Sequence, residues 1–144
     1  MILVERHSKF LVVRKIGRKT MKNANRAIIN LLKKHKKFVQ TITFDNGTEF
    51  AGHVEMAKKL KAEIYFARPY KSCDRGLNEH TNGLIRQYLL KKRDFADVMD
   101  KKIREIQKLL NNRPRKVLKF RTPTAVFFDR TFATVGPNSD AFQI

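Results

Sequence analysis

The sequence predicts one α/β domain, in which short strands alternate with amphipathic helices. Two observations carry this prediction. The chain has 144 residues, enough for one core, and its hydrophobic pattern changes repeatedly between a period of two and a helical period. The composition, 42% hydrophobic and 31% charged, is typical of a folded domain rather than a disordered tail.

Strands and one helix are predicted at the start of the chain. Ile2–Glu5 and Phe10–Ile16 form a two-stranded ribbon, which normally needs a further strand to be stable. Thr20 can cap a helix that continues to about Lys36, because apolar residues recur on one of its faces. The ribbon has no partner strand before it. The sheet is therefore predicted to lack its first strand.

A crossover unit follows. The strands Val39–Phe44 and Ala62–Ala67 are separated by a helix over Thr48–Leu60, which is typical of a right-handed connection between parallel strands.

Helices dominate the second half. We predict a long helix from about Leu77 to Lys92 and a last helix over Phe95–Asn111. The apolar stripe of the last helix comprises Phe95, Val98, Met99, Ile103, Ile106 and Leu110. Pro114 and Pro123 are expected to end regular structure, and the chain from Gly136 onward to form a loose tail. The expected domain spans residues 1–128, followed by a short C-terminal tail over 129–144.

The charge predicts a polyanionic partner. The formal net charge is +19, from 32 Lys and Arg against 13 Asp and Glu, and self-repulsion of this size opposes the compact state. Nucleic acid is the leading partner, since each neutralised phosphate releases a counterion. A basic surface that only confers solubility stays open as the alternative.

Membrane and disulfide classes are disfavoured. No run approaches the roughly 18 apolar residues of a spanning helix, and the N-terminus is a poor signal peptide. Cys73 is the only cysteine and fits a reducing compartment. The four histidines show no zinc-site spacing with it. We expect a cytoplasmic, DNA-associated protein.

Asp45 is the first candidate for chemistry. It follows a predicted strand, and carboxylates at the carboxyl edge of a sheet project into the crevice where open α/β folds bind ligands. The sequence Asp45-Asn46-Gly47 is also a common turn, so this motif alone is weak evidence.

Glu79 is the second candidate, because of its helix face. At 100° per residue it shares a side with Asn82, Gly83, Arg86 and Arg93. The residues predicted on the opposite, core-facing side are Leu77, Leu84, Ile85 and Tyr88. A carboxylate among arginines suits a metal ion and a phosphate together, although a solvated face with a stray glutamate is the alternative. Phosphodiester chemistry uses two divalent cations, for which three carboxylates are the usual minimum.

Several segments, in order, resemble the bacterial DDE transposases of the insertion-sequence-thirty family. Thr43–Phe50 is similar to the motif that carries the second catalytic aspartate, and Pro69–Tyr88 resembles the stretch with the catalytic glutamate. The 33 residues between the two carboxylates are the interval expected in this family. Leu110–Lys116 with Thr122-Pro123 resembles the C-terminal signature, and Val4–Ser8 resembles the family's second strand.

The resemblance implies an RNase H-like fold, a mixed sheet flanked by helices, and a partial integrase-type catalytic core. It implies metal-dependent cleavage and transfer of DNA strands at element ends and targets. Asp45 and Glu79 would bind two Mg²⁺ or Mn²⁺ ions, and Arg86 would lie near the phosphate. Asn46 and Asn82 would orient ligands or DNA.

A basic DNA track is expected from the same helices. It comprises Arg86, Lys91, Lys92, Arg93 and Arg113. A solvated charged face is the alternative interpretation of these residues.

The chain departs from the family in ways that affect activity. The family's first catalytic aspartate precedes the strand that resembles Ile2–Glu5, and no Asp occurs before Asp45. The N-terminal helix-turn-helix region is also missing, Cys73-Asp74 replaces a usual Trp-Glu, and His80 replaces a common asparagine. The metal site is therefore expected to be incomplete without a third carboxylate, and the chain to be inactive alone.

Three hypotheses stay open. The chain is a catalytic transposase core, or it is a remnant that binds DNA without cutting and associates with a full-length transposase or with another copy. The third possibility is that an unprotected sheet edge prevents stable folding.

Overall fold

A computed structural model describes residues 1–17, 20–44, 52–67, 76–89, 98–129 and 141–143. Within them, five strands form one mixed sheet with helices on both faces. The strands are β1 (Ile2–Glu5), β2 (Leu11–Val13), β3 (Thr41–Phe44), β4 (Glu63–Phe66) and β5 (Ala141–Gln143). The helices are α1 (Met21–Leu32), α2 (His53–Leu60), α3 (Gly76–Arg86), α4 (Asp100–Asn112) and α5 (Pro123–Phe128).

The strand order is β2-β1-β5-β3-β4. β1 and β2 form an antiparallel ribbon, and β3 and β4 form a parallel pair. β5 lies between them, antiparallel to β1 and parallel to β3. The ribbon and the parallel pair are thus joined through β5 and not through each other.

β5 corrects the expectation of a loose C-terminal tail. Ala141–Gln143 pair with strands on both sides, and the Phe142 side chain is fully buried. A strand of three residues is too short to show an alternating pattern, and it follows a stretch rich in turn-forming residues. It could therefore not be recognised from the sequence. The position between β1 and β3, in the middle of the sheet, is thus occupied by Ala141–Gln143.

The remaining strands follow the predictions closely. β1 is confirmed, the second strand is shortened to Leu11–Val13, and β3 and β4 lie within their predicted ranges. The Thr20 hydroxyl accepts a hydrogen bond from the Asn23 N–H at 3.4 Å, which confirms the helix cap. α1 ends at Leu32, and the chain continues to Phe38 as a 3₁₀ helix.

The helix boundaries in the second half differ from the predictions. α3 ends at Arg86 and passes into a turn, short of the predicted end at Lys92. α4 begins only at Asp100, so Met99 is not part of its apolar stripe and is 74% exposed. Ile103, Ile106 and Leu110 are buried as predicted, while Phe95 lies outside the described residues.

Pro123 begins a helix, contrary to the prediction that it ends regular structure. The Thr122 hydroxyl accepts from the Ala125 N–H at 3.1 Å, and Pro123 follows in the first turn of α5. Proline is favoured there because its missing N–H would have no partner in the helix.

Two apolar clusters cover the two faces of the sheet. Leu3, Ile42 and Phe142 pack with side chains of α1, α2 and α5 on one face. Val4 and Leu11 pack with side chains of α3 and α4 on the other. Because Leu3 and Val4 are neighbours in β1, they point to opposite faces.

The outer edge of β2 is covered by polar side chains of α4. Asn111 Nδ2 donates to the Leu11 carbonyl and its Oδ1 accepts from the Leu11 N–H, both at 2.8 Å. Gln107 Oε1 accepts from the Val13 N–H, also at 2.8 Å. The β2 edge is therefore protected, and the slot between β1 and β3 is filled by β5, unlike the unprotected edge expected from sequence.

The β1–β2 turn is held by a buried glutamate. The Glu5 carboxylate accepts from the His7 N–H at 2.7 Å, from the Ser8 N–H at 2.6 Å and from the Ser8 hydroxyl. Burial raises the pKa of Glu5, and these hydrogen bonds partly oppose that shift. The Val4–Ser8 segment singled out in the sequence thus fixes the hairpin. None of the described helices is long and apolar enough to span a membrane.

Candidate functional site

The carboxyl ends of three strands meet at one edge of the sheet. β3, β4 and β5 run parallel, with Phe44 opposite Phe66 and Thr43 opposite Gln143. We call this end of the sheet the β3 edge; in the sequence, Asp45 comes directly after the buried Phe44 that ends β3. Asp45 and Asn46 themselves lie outside the described residues.

The exposed face of α3 carries the other predicted site residues. Glu79, Asn82 and Arg86 are exposed along it. On the opposite face Ile85 is buried and packs in the cluster that contains Val4 of β1. The predicted division of this helix into a polar face and a core face is therefore confirmed. The core face anchors α3 to the central part of the sheet and leaves Glu79 and Arg86 facing outward.

Gly83 leaves open space on that polar face. A Cβ added at Gly83 would meet no described atom within 4 Å, so the internal packing of the described residues does not require glycine there. Gly83 lies between Asn82 and Arg86 on the helix surface, where a larger side chain would restrict the approach of a ligand.

The described residues do not form a complete metal site. Among them, no group of three His, Cys, Asp or Glu side chains is placed to hold a metal ion. Glu79 is the carboxylate that the described part offers at the predicted site, and a two-metal centre usually takes three. This donor set does not fit two divalent cations without Asp45 and a further ligand, so we derive no reaction step through metal ions.

The structure describes only two residues of the predicted basic track, Arg86 and Arg113. Arg86 is exposed in the last turn of α3, whereas Lys91, Lys92 and Arg93 lie outside the described residues. Along α4, Gln107 contacts Val13 and Asn111 contacts Leu11, so this helix runs toward the β1–β2 turn. Because Arg113 directly follows α4, it lies at the end of the sheet away from the β3 edge, and it is exposed there.

Two cations near the β3 edge were not among the predicted residues. Arg14 and Lys15 follow β2, whose last residue pairs with Ile2 at this edge. Both are exposed, and the Arg14 carbonyl accepts from the N-terminal amine at 2.8 Å. Two adjacent basic residues near the end of the predicted strand Phe10–Ile16 are the signal that could have identified them.

Comparison with known proteins gives several transposases as relatives, although no family model matches the sequence. The chain is 48% identical to the transposase for insertion sequence element IS4351 of Bacteroides fragilis over 115 residues, and this match covers 80% of this chain and 35% of that protein. It is 36% identical over 125 residues to the transposase InsI for insertion sequence element IS30A of Escherichia coli K12, a match that covers 86% of this chain and 33% of that protein. The transposase for insertion sequence element IS1086 of Cupriavidus metallidurans is 36% identical over 129 residues, and the match covers 87% of this chain and 37% of that protein. The chain spans about a third of the length of these relatives.

Solved structures show the fold. The catalytic core domain of BIV integrase superimposes with a TM-score of 0.72 at 18% identity, covering 94% of this chain and 88% of that one. A chain from the structure of the simian T-cell lymphotropic virus intasome in complex with the PP2A regulatory subunit B56 gamma gives a TM-score of 0.75 at 20% identity. This match covers 95% of this chain and 49% of that one. The fold is therefore that of an integrase catalytic core, and the predicted RNase H-like sheet is confirmed.

Proposed function

We propose that this chain, a homologue of the insertion-sequence transposases, is part of a transposase catalytic core that binds DNA during strand cleavage and transfer. The observation that carries the proposal is the combination of an extended relationship to transposases with the integrase-type fold. A net charge of +19 supports a nucleic-acid partner, which we place in the bacterial cytoplasm.

The β3 edge and the polar face of α3 are the proposed place of chemistry. Asp45 follows β3 in the sequence. Glu79 is exposed on α3, and Arg86 is exposed two turns further along the same face. Arg86 is suited to hold a phosphate, because guanidinium groups bind phosphate oxygens with two parallel hydrogen bonds. Asn46 and Asn82 are proposed to orient the DNA or the ligands beside these groups.

Divalent-ion binding by Asp45 and Glu79, with Mg²⁺ or Mn²⁺, is part of the proposal. Hard oxygen ligands of this kind suit either ion. These two residues leave the site short of a third carboxylate, and we propose that another copy or a full-length transposase can supply it. Cutting then depends on such a partner.

A non-catalytic role is the second candidate. It is favoured by one observation: the slot next to β3 is filled by β5. In this case the chain binds DNA or a transposase without cutting.

The test is a pair of assays on the purified chain. We expect it to bind a labelled duplex, with an affinity that falls steeply as salt rises from about 50 to about 200 mM. Strand transfer with Mn²⁺, tried with and without a full-length relative, then separates the two candidates. Products that vanish in Glu79→Gln support the catalytic core, and DNA binding without products supports the remnant. A folded chain that binds neither DNA nor a full-length relative would exclude both.

A further inference from the structure

A pocket with a basic rim lies at the β1–β2 turn. Its volume is about 290 Å³, and it is lined by Arg6, His7, Lys9, Val117, Leu118, Lys119 and Val126. It joins the turn after β1 to the segment between α4 and α5. We call this pocket, together with Lys116 and Phe120 of the same segment, the distal basic surface.

The distal basic surface faces away from the proposed chemistry. Val4 and Thr43 both pair with Gln143, and Glu5 lies opposite Phe142. Arg6 is therefore level with the first residue of β3, whereas Asp45 follows its last. The three steps from Thr41 to Phe44 span about 10 Å at about 3.3 Å per residue. One phosphate cannot contact both places, but one bound duplex or two DNA segments can.

The segment between α4 and α5 presents apolar side chains among cations. It closes on itself, with the Arg115 N–H donating to the Arg121 carbonyl at 3.0 Å and the Phe120 N–H to the Arg115 carbonyl at 2.9 Å. At its tip Val117 is 71% and Phe120 73% exposed. Lys116 and Lys119 are exposed beside them.

The backbone at this tip is held in an unfavourable conformation. Lys119 and Phe120 have positive φ angles of 52° and 63°. Residues with a Cβ rarely adopt this region, and strain of this kind concentrates at functional sites. The Phe120 ring thus projects from a basic turn, although its exposure to water and the positive φ are both unfavourable.

Two acidic groups near this surface, among the residues that the structure describes, already have partners. The Glu5 carboxylate is buried and bonded to Ser8 and His7. Asp129 pairs with Arg121 at 2.6 Å. Neither carboxylate therefore pairs with Arg6, Lys116 or Lys119, which are all exposed.

We infer that the distal basic surface is a second contact site for duplex DNA. Arg6, Lys116 and Lys119 bind backbone phosphates on either side of a groove, and the Phe120 ring enters the groove between them. Exposed apolar side chains flanked by cations are the arrangement by which proteins contact the minor groove or stacked bases. The inference rests on the proposed function, because it takes DNA as the partner. The surface that it assigns to DNA contains none of the residues of the predicted track, although Arg113 is close to it in the sequence.

The first test removes charge. Binding of a labelled duplex of arbitrary sequence is measured by fluorescence anisotropy between about 50 and about 200 mM salt. For Lys116→Ala/Lys119→Ala we expect about a ten-fold weaker affinity and a log–log salt slope reduced by about 1 to 2, since each lost phosphate contact lowers the slope by about 0.9. The matched control is Lys22→Ala/Lys58→Ala, which removes the same charge from exposed positions on α1 and α2 and should leave the slope near that of the unaltered chain.

The second test separates DNA contact from backbone strain. Phe120→Gly relieves the positive φ, so the melting temperature should stay the same or rise. DNA affinity should nevertheless fall several-fold with an unchanged salt slope, because an apolar contact is lost and no charge.

The outcomes distinguish this inference from the proposed function. If the unaltered chain binds DNA while the Lys116/Lys119 and Phe120 variants bind equally well, the distal surface is excluded and the proposed function stands. If the unaltered chain binds no duplex, both are excluded. If the Lys116/Lys119 and Phe120 variants lose binding to anionic phospholipid vesicles but keep duplex binding, the surface binds a membrane and the inference is overturned.

Discussion

Replacing Phe142 by alanine tests the unexpected element of the fold. The side chain is fully buried, and its ring centroid lies 5.9 Å from that of Phe127. It packs in the cluster that also contains Leu3 of β1 and Ile42 of β3. Phe142 is therefore the residue through which β5 joins the ribbon to the parallel pair.

The expected loss of stability is large. Truncating a buried Phe to Ala costs about 3 to 5 kcal/mol, from lost transfer free energy and the cavity left behind. For a chain of this size such a loss lowers the melting temperature by about 10 °C. If β5 were a loose tail instead, the substitution would fall within about 0.5 kcal/mol, as is usual for exposed positions.

Urea unfolding followed by circular dichroism measures the difference. Phe120→Ala is the matched control, since it removes the same side chain from a position that is 73% exposed, and should change the free energy of unfolding by less than about 0.5 kcal/mol. A Phe142→Ala variant as stable as this control would refute the assignment of Ala141–Gln143 to the centre of the sheet.

Three further outcomes follow from the same structure. Asn111→Ala removes both hydrogen bonds to Leu11 and should cost about 2 to 4 kcal/mol in urea unfolding, because a buried N–H and C=O lose their partners; Asn112→Ala, at an exposed neighbour, should cost far less. Burial raises the pKa of Glu5 above its ordinary 4.5, so its contribution to stability is complete below that pH and is lost as the pH rises through the folded-state pKa. Glu5→Gln should therefore gain stability relative to the unaltered chain as the pH of the urea titration is raised, and a constant difference would contradict this. Arg86→Ala should weaken duplex binding several-fold and reduce the salt slope by about 1, and an unchanged slope would remove Arg86 from the DNA contacts.

Much of the fold could be predicted because local pattern and tertiary packing agree. The alternation in Thr41–Phe44 and the cap at Thr20 are local signals, and both are confirmed. The two faces of α3 follow from helical spacing alone. The family resemblance supplied the sheet type, which the solved integrase structures share.

The parts that could not be predicted depend on contacts between distant residues. Nothing near Phe142 in sequence indicates that it fills a slot between β1 and β3. The role of Asn111 in covering the edge of β2 rests on a partner 100 residues away. Met99 fits the apolar stripe of α4 by spacing but precedes its first turn, so it is exposed.

The placement of the candidate residues was predicted in part. Glu79 and Arg86 occupy the predicted exposed face of α3. Arg113 lies at the end of the sheet away from the β3 edge, because α4 runs antiparallel to β2. The direction of a helix across a sheet is set by tertiary contacts such as those of Gln107 and Asn111, which spacing along the chain does not encode.

The central claim is that the β3 edge and the polar face of α3 converge, so that Asp45 and Glu79 can share one divalent ion. Thiol cross-linking tests it directly, because Cys73 is the only native cysteine and can be replaced by serine. In that background, Asp45→Cys/Glu79→Cys should be joined within one molecule by a short bifunctional thiol reagent, and Mg²⁺ should not be needed. If both cysteines react singly with a monofunctional reagent but no intramolecular link forms, the two positions lie apart and the proposed site is wrong.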